Sequence, residues 1–285
     1  MTCRWSCLLI GVLSACGLPE AGETHASDAP QSLAVALCQI EVTADSEANL
    51  RSIEAAIAGA AQGGAQIACF PEACIFGWTN SAAHDAAATI PGTTSDRIAA
   101  AAREHQIMVV IGLAERDGPN LHNTAVLIDT DGTLLAKHRK MNILSELMDP
   151  PYQPGESAHG SVVDTRYGRI GLLICADTFQ DETVSQLAAQ KPDYVIVPYG
   201  WAAPAGDWPQ HGDSLHAWIR HTARRCQAPV AGVDSTGELH SGPWKGFVLG
   251  GQSMACDAEG QPIEVLPDRT ASTRIVSLPK RLRGE

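Results

Sequence analysis

Apolar positions at residues 33–40 alternate into a strand, and 46–62 then carry Ala, Leu and Ile at helical spacing until Gly63-Gly64 ends the run. A second short strand is expected at 67–70. A helix follows over 95–106, capped by Ser95 with Asp96 favourable in its first turn, and the strand 108–114 continues the sheet. From Asn123 onward the pattern changes to neighbouring strands with no helix between them, 125–128 and 133–137, joined at the turn signal Asp131-Gly132. A second hairpin is expected from 161–164 and 169–174 around Tyr167-Gly168. Later strands are expected at 193–198, 229–234, 247–256 and 273–276, with helices at 182–190 and 213–226. Mixed parallel and hairpin connections predict one layered α/β domain.

Three chemically active residues fall at the ends of strand-like runs: Glu72 after 67–70, Lys140 after 133–137, and Cys175 after the apolar Gly171-Leu172-Leu173-Ile174. A thiol attacks only as thiolate; a nearby ammonium lowers its pKa and a carboxylate can accept its proton. The same ammonium can stabilise the oxyanion that forms on the attacked carbon. For a cysteine taken at random, a buried core role is the better reading. Cys175, however, stands between an apolar strand and the polar Asp177-Thr178, where an α/β sheet presents functional groups at its carboxyl edge. Glu72 is followed by the apolar Ala73-Cys74-Ile75-Phe76, an odd place for a solvated carboxylate.

The words around the trio resemble the nitrilase superfamily of carbon-nitrogen hydrolases, in order, from about Ser32 almost to the C-terminus. Phe70-Pro71-Glu72 looks like the segment carrying the general base, His138-Arg139-Lys140 like the lysine segment, and Gly171-Leu172-Leu173-Ile174-Cys175-Ala176-Asp177 like the nucleophile elbow. Weaker matches are Pro91-Gly92-Thr93, Pro154-Gly155-Glu156, Val197-Pro198 before Trp201, and Gly251-Gln252-Ser253. The resemblance implies a four-layer αββα sandwich, no metal or cofactor, a homo-oligomer, and hydrolysis of a small amide or N-carbamoyl compound through a thioester on Cys175. Glu72 would be the base, and Lys140 with the Ala176 backbone amide would hold the oxyanion. Glu146 best matches an additional pocket carboxylate, with Asp149 and Glu156 competing. Trp78 and Trp201 are candidates for the pocket wall, with Tyr199 and Trp244 as further aromatics.

This chain departs from the pattern at Ala176, where an aromatic is usual, at Phe179-Gln180-Asp181-Glu182, at Arg225-Cys226, and at Asp234, where Asn is expected. These changes bear on substrate class more than on hydrolytic chemistry. Nitrile-cleaving relatives tend to have Trp-Glu after the nucleophile, which disfavours a nitrile hydrolase here. A surface-tethered binding protein that keeps the fold without turnover is the alternative of a different class. A papain-like protease is excluded by the absence of its Cys-Gly-Ser-Cys-Trp type segment.

The formal charge of −12, with no basic stripe, argues against nucleic acid or anionic membrane surfaces as partners. Residues 5–15 form an apolar run too short to span a bilayer, which reads as an export signal over 1–15. Leu13-Ser14-Ala15-Cys16 resembles a bacterial lipobox with Cys16 as the lipidated residue. On that reading 16–31 is a tether, 32–285 is the hydrolase domain and the protein sits in the cell envelope; a misassigned start codon would place it in the cytoplasm. Nine cysteines would suit disulfides in an exported protein, but Cys38, Cys69 and Cys256 lie in or beside apolar strands as core residues, and no Cys-x-x-Cys pair suggests zinc. His211, His216 and His221 recur every five residues, which spreads them around a helix instead of along one metal-binding face.

Overall fold

Two six-stranded sheets lie face to face, each covered on its outer side by helices, in the αββα layering expected. The structure, a computed structural model, describes residues 1–2 and 31–281. Cys16, all of the apolar run 5–15 and all but the last residue of the tether lie outside the described residues. In chain order across the first sheet run β1 (Ser32–Gln39), β2 (Ile67–Cys69), β3 (Met108–Asp117), β4 (Asn120–Ile128) and β5 (Leu134–Arg139), and the last strand, β15 (Ser272–Pro279), pairs antiparallel with β1. The second sheet has the order β14 (Pro262–Val265), β13 (Met254–Cys256), β10 (Val230–Val233), β8 (Tyr194–Pro198), β7 (Gly168–Leu172) and β6 (Val162–Thr165). A small third sheet joins β11 (Thr236–Glu238), β12 (Val248–Gly250) and β9 (Ala202–Ala203). Helices α1 (Ser46–Gln62) and α3 (Thr93–His105) cover the first sheet; α4 (Asp181–Ala189) and α5 (Gly212–Cys226) cover the second, and α2 (Ala83–Ala86) is a single turn.

Burial on both faces explains the near-continuous apolar runs. On β1, Leu33, Val35 and Leu37 join Leu172 and Ile196 between the sheets, while Ala36 and Cys38 pack with Ile53, Ile57 and Ile98 under the helices. Cys38, Cys69, Cys74, Cys175, Cys226 and Cys256 are all buried free thiols. Burial pushes the Cys38 and Cys256 thiols up to about 12, as befits small core residues.

Strands β1, β2 and β3 are parallel, and two antiparallel steps through β4 turn β5 into the same direction. Strands β7, β8 and β10 are likewise parallel. The chain therefore leaves β2, β5, β7 and β8 at carboxyl ends, and all four exits contribute to one site.

Two expectations change. Ser95 is the third residue of α3 instead of its cap: its Oγ accepts from the Gly92 N–H at 2.9 Å and donates to the Gly92 carbonyl at 3.0 Å, closing the first turn from inside. The strand expected over 247–256 breaks into β12 and β13 in different sheets, because Gly251 and Gln252 adopt φ of 67° and 54° between them. The short strands β9, β11 and β14 carry too few residues for a period to be read. The first expected hairpin is present between β4 and β5, where Gly132 turns at φ 86°.

Candidate active site

Glu72 follows β2 by three residues and is pinned between the sheets, its N–H donating to the Tyr199 carbonyl at 3.0 Å. Strand β3 passes so close that a Cβ on Gly112 would lie 2.6 Å from Glu72 Cα, so only glycine fits there. The carboxylate is 2% exposed. Its Oε1 accepts from Lys140 Nζ and from Asn123 Nδ2, both at 2.6 Å, while Oε2 has no partner.

Lys140 reaches this position through the alternation of β5. Lys137 and Arg139 point to one face and pair with Glu115, whereas His138 and Lys140 point to the other. Burial, the largest single effect, pulls the Lys140 ammonium down, but the charge and hydrogen bond of Glu72 together with Cys175 and Asp177 hold the lysine above its ordinary range.

Cys175 opens a 3₁₀ turn, Cys175–Phe179, three residues beyond β7. Its φ of 39° is left-handed, a conformation that costs a β-carbon-bearing residue roughly 1 kcal/mol or more and aims the side chain off the strand end. Burial, and then the Glu72 charge, pushes the thiol well above its ordinary range; Lys140 and the Gly200 N–H pull it back without prevailing. The sequence expectation that Lys140 would lower this pKa is thus outweighed. Attack by this sulfur would therefore require a base to take its proton.

The two halves are joined by Asp177, fully buried. Its Oδ1 accepts from Met141 N at 2.8 Å and Asn142 N at 2.9 Å, just beyond Lys140, while Oδ2 accepts from Ile174 N at 3.1 Å and lies 2.8 Å from His138 Nε2. His138 Nδ1 in turn meets Ser161 Oγ at 2.7 Å. One carboxylate therefore ties the lysine loop to the cysteine turn. Asp177→Ala should lose roughly 2–4 kcal/mol of stability, because three N–H donors and an imidazole lose a charged acceptor; an unchanged urea midpoint would contradict that linkage.

Cys175, Glu72 and Lys140 open into a cavity of about 180 Å³. Its walls are mainly Trp78, Trp201, Trp244, Phe179 and Leu144, with His211 adding an imidazole. Gly200 lets the wall close in: a Cβ there would sit 2.4 Å from Trp78 Cδ1 and 3.1 Å from Glu72 Oε2. The Trp78 indole N–H is buried without a partner, like Glu72 Oε2. An unpaired buried donor and acceptor in one cavity are groups that an occupant can satisfy.

Trp78 and Trp201 thus line the cavity, whereas Ala176 is buried outside its lining. Glu146 lies in the 3₁₀ turn Ser145–Leu147, exposed and, among the described residues, with no hydrogen bond or ion pair, so it is not brought to Lys140; Asp149 and Glu156 are exposed as well. That turn buries Leu147 and points its carboxylate to solvent. The polar partner beside Glu72 is instead Asn123. The polar His122-Asn123-Thr124 run inside an otherwise apolar strand is the signal that could have found it.

Asp234, at the end of β10, is fully buried, with Oδ1 accepting the Trp201 N–H at 2.7 Å. Burial and the Glu72 charge push its carboxyl well above the usual range despite backbone donors. The three histidines separate: His216 Nε2 meets the Gln252 carbonyl, His221 Nε2 meets Asp181, and His211 faces the cavity.

A carbon-nitrogen hydrolase family model matches residues 34–284. An omega-amidase of Bos taurus is 32% identical over 192 residues, covering 64% of this chain and 67% of that protein. An aliphatic nitrilase of Rhodococcus rhodochrous is 34% identical over 142 residues, 45% of this chain; the match spans only 38% of the nitrilase. Among solved structures, an amidase from Nesterenkonia sp. AN1 superposes with a TM-score of 0.74 at 27% identity, covering 87% of this chain and 91% of that one. That structure is of a mutant of the amidase, with the acetamide moiety of fluoroacetamide added covalently at the active site cysteine.

Proposed function

The chain belongs to the carbon-nitrogen hydrolase family of the nitrilase superfamily, and on that premise we propose that it hydrolyses small, uncharged primary amides through a thioester on Cys175. The observation that carries this reading is the shared burial of Glu72, Lys140 and Cys175 at the floor of one small aromatic cavity. The covalent adduct on the cysteine of the Nesterenkonia amidase supports the same chemistry.

Glu72 Oε2, unpartnered, takes the thiol proton as sulfur bonds to the carbonyl carbon. The oxyanion is held by Lys140 Nζ, which does not have to move far because Glu72 Oε1 already fixes it. Collapse of the tetrahedral adduct expels the amine, which receives the proton from Glu72 and leaves as ammonia. Water then gives its proton to Glu72 and attacks the thioester, releasing the carboxylic acid and returning the thiol.

Substrate size follows from the cavity, about 180 Å³ against roughly 300–1,000 Å³ for sites that take drug-sized ligands. Charge follows from the lining. Lys140 is its only Lys or Arg among the described residues and is already paired with Glu72. A substrate carboxylate would be desolvated against aromatic rings without a counter-ion.

Purified protein should release ammonia from propionamide and butyramide at least tenfold faster, in kcat/KM, than from succinamate or propionitrile. Faster nitrile turnover would favour the nitrilase reading. Ammonia from none of these compounds, with the protein folded, would favour the silent binding protein.

A further inference from the structure

Among the described residues, His211 is the one titratable cavity-lining residue outside the trio. Its ring is set by two aromatics, stacked on Trp201 with centroids 5.5 Å apart at 27° and edge-on to Trp208 at 5.2 Å. The backbone on the same residue is committed, its carbonyl accepting from Trp201 Nε1 at 3.3 Å and from Ser214 Oγ at 2.7 Å. Neither ring nitrogen has a hydrogen-bond partner among the described residues. Its neighbours on α5 differ, since His216 and His221 each engage Nε2 with a protein acceptor. A ring so firmly placed, with both nitrogens open beside an otherwise aromatic wall, is available to a bound molecule.

We propose that His211 is a specificity-determining residue, hydrogen-bonding an uncharged polar group at the end of the substrate remote from the scissile amide. The preferred substrate class is therefore a short amide ending in a hydroxyl or a second carboxamide. This rests on the amidase reading of the same cavity and narrows it. Burial keeps the ring less basic than an ordinary histidine, with Asp207 opposing, so at neutral pH it presents one donor and one acceptor and no charge. A hydroxyl can satisfy either nitrogen, whereas a carboxylate gains only the donor and still lacks a cation.

The test compares butyramide with 3-hydroxypropionamide, which has nearly the same shape with a terminal oxygen in place of a methyl group. Wild-type protein should favour the hydroxy amide by roughly five- to tenfold in kcat/KM, expressed mainly in KM, as one net hydrogen bond supplies. His211→Phe keeps an aromatic ring on Trp201 and should bring the ratio of the two substrates close to one. His211→Gln keeps a donor and an acceptor and should restore most of the preference. An unchanged ratio in His211→Phe, or no preference in the wild type, would overturn the assignment while leaving the hydrolase reading in place. Hydrolysis of neither amide by the wild type would overturn both.

Discussion

Replacing Cys175 by alanine should abolish amide turnover while leaving the fold and its stability nearly intact. The chemical loss is large because no other thiol and no hydroxyl lines the cavity among the described residues, and removal of a covalent nucleophile typically costs about 10⁴–10⁶ in kcat. The structural loss is small. Only one sulfur atom is removed, and alanine keeps the same left-handed strain at φ 39°. The buried Glu72–Lys140 pair stays paired, and the hydrogen bonds of Asp177 to Ile174, Met141 and Asn142 involve no sulfur. Ammonia release and thermal unfolding measured on the same preparation check both halves of the expectation. Residual turnover within a hundredfold of wild type would place the nucleophile elsewhere, and a melting temperature lowered by more than a few degrees would mean that the thiol also supports the elbow.

The trio was legible because each member sits just past an apolar strand-like run, and the carboxyl ends of β2, β5 and β7 converge once those strands are parallel. Lys140 could be separated from Lys137 and Arg139 only through the family resemblance. The strand alternation that sends it to Glu72 also sends its neighbours to Glu115, but which face is inner depends on the second sheet. Glu146 could not be placed for a related reason: a 3₁₀ turn has no long period, so the sequence does not reveal that Leu147 turns inward and the carboxylate outward. Asn123 and His211 were missed as site residues because both are brought in by tertiary contact, one across a β ladder and one by stacking on Trp201. The protonation state of Cys175 was similarly out of reach. Lys140 and Glu72 act on it with opposite sign, and only the extent of burial decides the outcome.

Glu72→Gln should separate the two effects of that carboxylate, eliminating turnover while making the thiol more acidic. The charge of Glu72 is the second contributor, after burial, that raises the Cys175 pKa. Its removal leaves Lys140 and the Gly200 N–H less opposed, so the thiolate forms at lower pH. Turnover nevertheless falls, by roughly 10³-fold or more, because an amide cannot accept the thiol proton or deliver it to the leaving amine. Alkylation of Cys175 by iodoacetamide, followed against pH by mass spectrometry of the modified peptide, should therefore show an inflection shifted downward in the variant. Stability should also drop, by about 3–5 kcal/mol, since Lys140 would remain buried opposite a neutral group. Adding Cys175→Ala to Glu72→Gln should slow turnover no further than Cys175→Ala alone, as expected of groups that act as one unit. An alkylation profile shifted upward in Glu72→Gln would mean that the carboxylate stabilises the thiolate and does not act as its base. In that case the deprotonation step would have to be assigned to another group.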